Sequence, residues 1–203
     1  MAPTLPAQAA LEAMRSAMAS YGDISPLSWQ MLAAHCRVVG VPKAAVLYAS
    51  DAVPTSFAFV ATGLLRVYVT DADGREYNKN FFAEGSFPGA MTALLTGTAS
   101  RFTIEALEPS QVVLIDFKRY RELLWSQDDL KIFHIHYLES NWLLAKDARE
   151  VEIVQSDAAT RYRLFVQDYP DLHKRLPQYH IAAHLGITPT QLSRVRKNFK
   201  LST

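Results

Sequence analysis

Gln178-Tyr-His-Ile-Ala-Ala-His-Leu-Gly-Ile-Thr-Pro-Thr-Gln-Leu-Ser-Arg-Val-Arg-Lys197 reads as a helix, a tight turn and a second helix. Gly186 can take the positive φ that a sharp reversal needs. Thr188-Pro-Thr-Gln191 has the form of a capping box, with proline at the first helical position, where its missing N–H is not needed. Leu192, Val195 and Phe199 share one inward face, and Ile181, Leu185 and Ile187 meet it from the other side. Thr190, Ser193, Arg194 and Lys197 are left outward, short polar donors followed by cations. Such a face suits a helix lying in a DNA major groove. Thr190 and Arg194 would reach base edges, Arg most favourably guanine, while Ser193, Arg196 and Lys197 would hold phosphates. Gln178 and Tyr179 at the start of the first helix, and Thr188 and Gln191 at the turn, complete the expected DNA-binding set. The same unit can be a purely structural helix pair; charge, cap and turn together favour DNA.

The charge distribution points the same way. The chain has 203 residues and a formal net charge of +1. Residues 1–156 carry 13 Lys/Arg against 17 Asp/Glu, and residues 157–203 carry 8 against 3. After Asp171 there is no acidic residue, while Lys174, Arg175, Arg194, Arg196, Lys197 and Lys200 follow. A small basic module on a neutral-to-acidic body implies a polyanionic partner. A single cysteine, Cys36, excludes an intramolecular disulfide and any all-cysteine metal site. No apolar run approaches the ~20 residues of a membrane span. The expectation is a cytoplasmic protein with no membrane partner.

Three segments precede or include this unit: residues 1–125, 126–156 and 157–203. The first 35 residues read as helical, with Leu11, Met14 and Met18 at helical spacing and Ser25-Pro26 starting a second helix. From about Arg37 to Ile115 the texture is of short strands: Ala45–Tyr48, Ser56–Val60, Leu64–Val69 and Gln111–Ile115. Asp71-Ala-Asp73-Gly74 between Leu64–Thr70 and Arg75–Phe82 predicts a hairpin. Strands at this spacing suggest an antiparallel sandwich or barrel. Beyond Gln127 the pattern is helical again, with Leu130, Phe133, Tyr137, Asn141, Leu144, Ala148 and Val151 along one stripe. A helix of about 28 residues would run ~42 Å, longer than a small β-domain needs, so the stripe predicts a dimerising helix. Asp157 would cap the next helix, Tyr162–Tyr169, ended by Pro170, with helices over 177–185 and 188–199 to follow. The fold class is α+β: an antiparallel β-roll of jelly-roll type, a long helix and a helical C-terminal unit.

A glycine-rich β-roll, a long helix and a C-terminal helix–turn–helix resemble the bacterial Crp/Fnr transcription regulators over essentially the whole chain. Leu64-Leu-Arg-Val-Tyr-Val-Thr with Asp73-Gly74-Arg75-Glu76 resembles the family's central hairpin. Phe87-Pro-Gly-Ala-Met resembles the start of its phosphate-binding cassette, and Leu-Gly-Ile-Thr-Pro-Thr-Gln-Leu-Ser-Arg194 its recognition motif. The resemblance implies a homodimer docking two recognition helices on a palindromic operator in double-stranded DNA, with RNA polymerase as a further partner and a small-molecule effector in the β-roll. The expected effector pocket comprises Phe87, Gly89, Ala90, Met91, Ser100, Arg101 and Phe102. The family's nucleotide binders have Gly-Glu where this chain has Gly89-Ala90, and an arginine where the register gives Ser100, with Arg101 one residue late. In a strand, one residue is the opposite face. Cyclic AMP is therefore not the expected effector. The chain ends four residues after Phe199, so the expected wing is reduced.

No other constellation carries comparable weight. His134 and His136 point apart on a helix, and His180 and His184 share a face but lack the glutamate of a zinc-binding His-Glu-x-x-His; phosphate contact or exposure is their expected role. Haem stays open as a cofactor, since relatives carry it, although no residue here calls for it. Cys36 reads as a small buried side chain rather than a redox switch. No phosphate loop or nucleophile elbow appears, so no catalytic or metal residues are assigned and the chain reads as a non-enzyme. The alternatives are a cyclic-nucleotide-binding-like ligand or protein-interaction module without DNA binding, and a small cupin-like enzyme, which would need a metal.

Overall fold

Alternation along two apolar strands explains the whole architecture. The computed structural model describes residues 4–144 and 156–201, so Ala148 and Val151 of the expected dimer stripe, and the side chain of Phe199, lie outside the described residues. Within them, β1 (Cys36–Val41), β7 (Ser110–Asp116) and β3 (Ser56–Thr62) form one antiparallel sheet in the order β1-β7-β3. The strands β2 (Val46–Tyr48), β6 (Thr103–Ala106), β4 (Leu65–Thr70) and β5 (Glu76–Phe82) form a second, in that order. Successive side chains of a strand face opposite ways. Ala58, Val60 and Val112 accordingly join Leu65, Val67, Ile104 and Ala106 between the sheets. Their neighbours Phe57, Phe59, Val113 and Ile115 face outward from the first sheet and meet α1 (Ala7–Ala19) and the helices α2 (Pro26–Ala33), α4 (Phe117–Ser126) and α5 (Asp128–Leu138). The near-continuous apolar runs of β3 and β7 are the mark of strands covered on both faces.

Local signals set the element ends. Ser25 Oγ accepts from the Ser28 N–H at 3.1 Å at the start of α2, and Asp116 Oδ1 from the Arg119 N–H at 2.8 Å at the start of α4. The β4–β5 turn is closed by Asp71, whose carboxylate accepts the N–H groups of Asp73 and Arg75, both at 2.9 Å. Gly63, between β3 and β4, has φ 101°, and a Cβ there would stand 2.2 Å from Ser110 Oγ. Only glycine fits that crossing. A short helix α3 (Met91–Thr96) follows the Phe87–Ala90 segment.

Leu130 and Phe133 depart from the dimer-stripe expectation. They are 0% and 3% exposed and lie in the chain's own core with Met18 and Phe87. Periodicity detects an apolar face but not which surface covers it. After Leu138 the helix runs on through a π-helical turn, Glu139–Leu143, and Leu144 beyond it is 65% exposed. Tyr137 is half-buried and Asn141 exposed.

The C-terminal helices α6 (Ala158–Asp168), α7 (Leu172–Arg175), α8 (Gln178–Leu185) and α9 (Pro189–Leu201) gather around Tyr162, Phe165, Ile181, Leu185 and Leu192, joined by Leu64 and Phe81 of the β-region. Asp157 caps α6 through the Thr160 N–H at 2.8 Å. The four-residue α7 carries no strong sequence signal.

Candidate nucleic-acid interface

The α8–α9 turn is built as its residues dictate. Gly186 takes φ 65°, and the Ile187 N–H returns to the Ala182 carbonyl at 3.1 Å. Across the start of α9, the Gln191 N–H donates to Thr188 Oγ1 at 3.1 Å and the Thr188 N–H to Gln191 Oε1 at 2.9 Å. Both halves of the capping box are formed, so Thr188 and Gln191 hold the helix start, with their side chains engaged there. Leu192, 0% exposed, anchors α9 on Ile181 and Leu185.

The opposite face is open. Thr190, Ser193, Arg194 and Lys197 are exposed, and Arg196 is half-buried beside them. Among the described residues Arg194, Arg196 and Lys197 have no acidic partner. Gln178 and Tyr179 are exposed on the first turn of α8, with the Tyr179 ring 4.2 Å from that of His180. Arg175, by contrast, is spoken for. Its guanidinium forks onto Glu84 at 2.9 and 3.1 Å and also bonds Glu108. Burial works against the Glu84 charge, but Arg175 and backbone N–H groups prevail and hold its carboxyl below the usual range.

His180 and His184 do not take the expected surface or phosphate-facing role. His180 is 5% exposed. Its Nδ1 lies 3.2 Å from Asn78 Nδ2 and 3.4 Å from an Arg66 nitrogen, and its backbone carbonyl accepts from Asn78 at 3.0 Å. His184 Nδ1 donates to the Asn78 carbonyl at 2.9 Å, and its ring packs among Phe81, Phe165 and Tyr169. Their hydrogen-bond partners lie about a hundred residues away in the chain, which no local pattern reveals. Arg66 and Asn78 were missed for the same reason. The only signal was a cation inside an otherwise apolar strand.

The expected effector residues divide between two places. Phe87 packs tilted against Phe59 at 5.0 Å and edge-to-face with Tyr137 at 5.4 Å, and with Met91 it lines an aromatic crevice beside Tyr120, His134 and Trp142. Gly89 passes so close to Phe57 that a Cβ would lie 2.7 Å from the Phe57 Cβ. Ala90 is buried. Ser100 is buried too, its hydroxyl accepting from the Phe102 N–H at 3.0 Å and donating to the Phe102 carbonyl at 2.8 Å. Arg101 is exposed, and Phe102 packs on the inter-sheet cluster beneath Lys79. His134 bonds the Tyr120 hydroxyl at 3.0 Å, whereas His136 bonds the Tyr21 carbonyl at 2.7 Å, so the two rings serve different neighbours. Burial pushes the Cys36 thiol up to about 12, which keeps it protonated and unreactive.

Residues 38–127 match the sequence model of the cyclic nucleotide-binding domain family. The cAMP-activated global transcriptional regulator CRP of Pasteurella multocida is 26% identical over 105 residues, covering 51% of this chain and 49% of that one. The match thus spans about half the length of this curated relative. Among solved structures, the c-di-GMP responsive global regulator CLP of Xanthomonas campestris superposes with TM-score 0.70 at 16% identity, over 88% of this chain and 93% of that one. A CooA mutant of Carboxydothermus hydrogenoformans gives 0.69 at 19%, over 89% and 81%. FixK2 of Bradyrhizobium japonicum gives 0.67 at 18%, over 82% and 85%. At such identities the likeness is one of fold. The domain match and these neighbours together show a cyclic nucleotide-binding-like β-roll within the fold that those regulators share. No helix among the described residues is long and apolar enough to cross a membrane.

Proposed function

We propose that this chain is a sequence-specific DNA-binding transcription regulator of the Crp/Fnr type, acting as a homodimer, with α8 and α9 as its helix–turn–helix. The observation that carries this reading is the open face of α9. A doubly closed capping box fixes the helix start, Leu192 fixes its rotation, and Thr190, Ser193, Arg194 and Lys197 stand outward without acidic partners among the described residues. Arg194 would read a base edge, and Ser193, Arg196 and Lys197 would hold phosphates. The exposed Gln178 and Tyr179 would approach the backbone from α8. Residues 157–203 form the DNA-binding unit and residues 1–125 the sensing unit, with 126–156 between them. The exposed Ile132, Ile135, Leu143 and Leu144 offer the apolar surface for a second copy.

A cyclic nucleotide does not fit the residues present. Its ribose hydroxyls need an acceptor where Ala90 offers a methyl group, and its phosphate needs a cation where Ser100 has turned its hydroxyl onto the Phe102 backbone. The inter-sheet space is lined by Val41, Val60, Val67, Ile104 and Val112. The effector is therefore of another class.

Selection from a randomised duplex library by the purified protein, without added nucleotide, tests the reading. Enrichment of a two-fold symmetric site is the expected result. Arg194→Ala should lose about 1–3 kcal/mol of discrimination at one base per half-site. Lys197→Ala should weaken binding to all sequences alike and lower the salt slope by about 1. Arg194→Ala binding every duplex like wild type would refute the assignment of α9. Salt-insensitive, sequence-blind binding would favour the interaction-module alternative.

A further inference from the structure

The outer face of the second sheet carries a charged cluster that neither sensing nor DNA contact uses. Arg66, on β4, is 5% exposed. Its guanidinium bonds Glu76 on β5 and, at 3.1 Å, Glu105 on β6, donates to Asn78 Oδ1 at 3.2 Å, and lies over the Tyr68 ring. α8 closes over this cluster with His180.

The bonding pattern fixes the protonation state of that histidine. Arginine only donates, so the Asn78 oxygen must face it, which leaves the Asn78 nitrogen to donate to the His180 carbonyl and ring. His180 Nδ1 therefore accepts from Asn78 Nδ2 and stands 3.4 Å from the Arg66 cation, whose Nη1 hydrogens go to Glu76 and Asn78, with no acceptor in reach. It can only be the lone-pair nitrogen of a neutral imidazole. A proton on Nδ1 would oppose the Asn78 N–H and the Arg66 cation in a buried seam.

We propose that His180 is a proton-sensitive latch: a proton taken up on Nδ1 releases α8, and the C-terminal helices with it, from the outer face of the second sheet. The groups that bear on it are Arg66 and Tyr68 from β4, Glu76 and Asn78 from β5, Glu105 from β6 and Tyr179 from its own helix. α6 and α9 meet the same helix through the apolar Tyr162, Phe165 and Leu192. His184 is held separately: its Nδ1 donates to the Asn78 carbonyl and its ring packs against Phe81 and Phe165.

Burial, and then the Arg66 charge, push His180 down to about 4 from its ordinary 6.5. A depressed folded-state value makes docking fully stable above pH 6.5 and progressively weaker as pH falls toward 4. At pH 5 the docking equilibrium should stand about 30-fold closer to release than at pH 7.5. The latch is independent of the DNA-binding reading, since its readout needs no nucleic acid.

Native-state hydrogen exchange on the full chain at pH 7.5, 6 and 5, wild type against His180→Asn, tests it. Asparagine keeps an acceptor near the Nδ1 position but cannot titrate, and Glu76 and Glu105 are common to both proteins. The wild-type to variant ratio of opening should rise about 30-fold at pH 5 in peptides of α8 and β5, and stay constant in β7. A flat ratio, or an equal rise in β7, overturns the proposal. Should the variant open already at neutral pH, the NMR titration of the wild-type imidazole decides. A midpoint well below 6.5 that coincides with loss of α8 protection supports the latch, and a midpoint at or above 6.5 refutes it.

Discussion

Both sheets have an outer face covered by helices, but the two covers are made of opposite materials. On the first sheet Phe57, Phe59, Val113 and Ile115 meet Met14, Met18, Leu130 and Phe133, an apolar contact throughout. On the second sheet Phe81 and Leu64 provide an apolar margin toward Phe165 and Leu185, while the centre is Arg66, Glu76, Asn78 and Glu105 against His180. Apolar burial is insensitive to protonation and to small rotations. Charged and hydrogen-bonded burial is worth little net when complete and is costly when one member is lost. The first cover is therefore permanent structure, and the second is one that a local event can undo.

Breaking the apolar cover should have the largest effect. Phe59→Ala, at a site 1% exposed, should destabilise the whole molecule by about 3–5 kcal/mol in denaturant unfolding, with all regions melting together. Arg66→Ala should come next, at about 2–3 kcal/mol, because it strands the half-buried Glu105 beside an unsatisfied Asn78. Its signature should be local: faster exchange in α8 and β5 with β7 unchanged. Equal acceleration in β7 would mean the two covers are not separable. Thr188→Ala should be the mildest, about 1 kcal/mol, removing one half of the capping box. It should loosen the start of α9 and leave both sheets as they were, which circular dichroism and exchange would register together.

What the sequence made legible was whatever is decided within a few residues. Asp71 closing the β4–β5 turn, Ser25 and Asp157 starting helices, and the reciprocal Thr188–Gln191 bonds all follow from side chains acting on backbone three or four positions away. The four-residue β6 carries a weak signal because so short a strand has no period to read. The seam around Arg66 was invisible for a different reason. Glu76, Glu105 and His180 lie 10, 39 and 114 residues from it in the chain, and each alone looks like a surface group. The candidate DNA face sits at the legible end, since one capped helix with a fixed buried anchor determines which side chains remain outside.

The π-helical turn over Glu139–Leu143 also acts as a phase shifter. In an unbroken α-helix, seven residues bring Leu144 back to within about 20° of Tyr137. A π turn takes up one extra residue, which retards Leu144 by about 100°. Tyr137 and Phe133 thus face the chain's own core while Leu144 stands about 120° away, 65% exposed. One helix thus serves two clients: its own domain as far as Asn141 and Trp142, which still reach Tyr21 and the Phe87 crevice, and the open surface at Leu143 and Leu144. The angle between those two allegiances is set by the count of residues in a single turn rather than by the identity of any one of them.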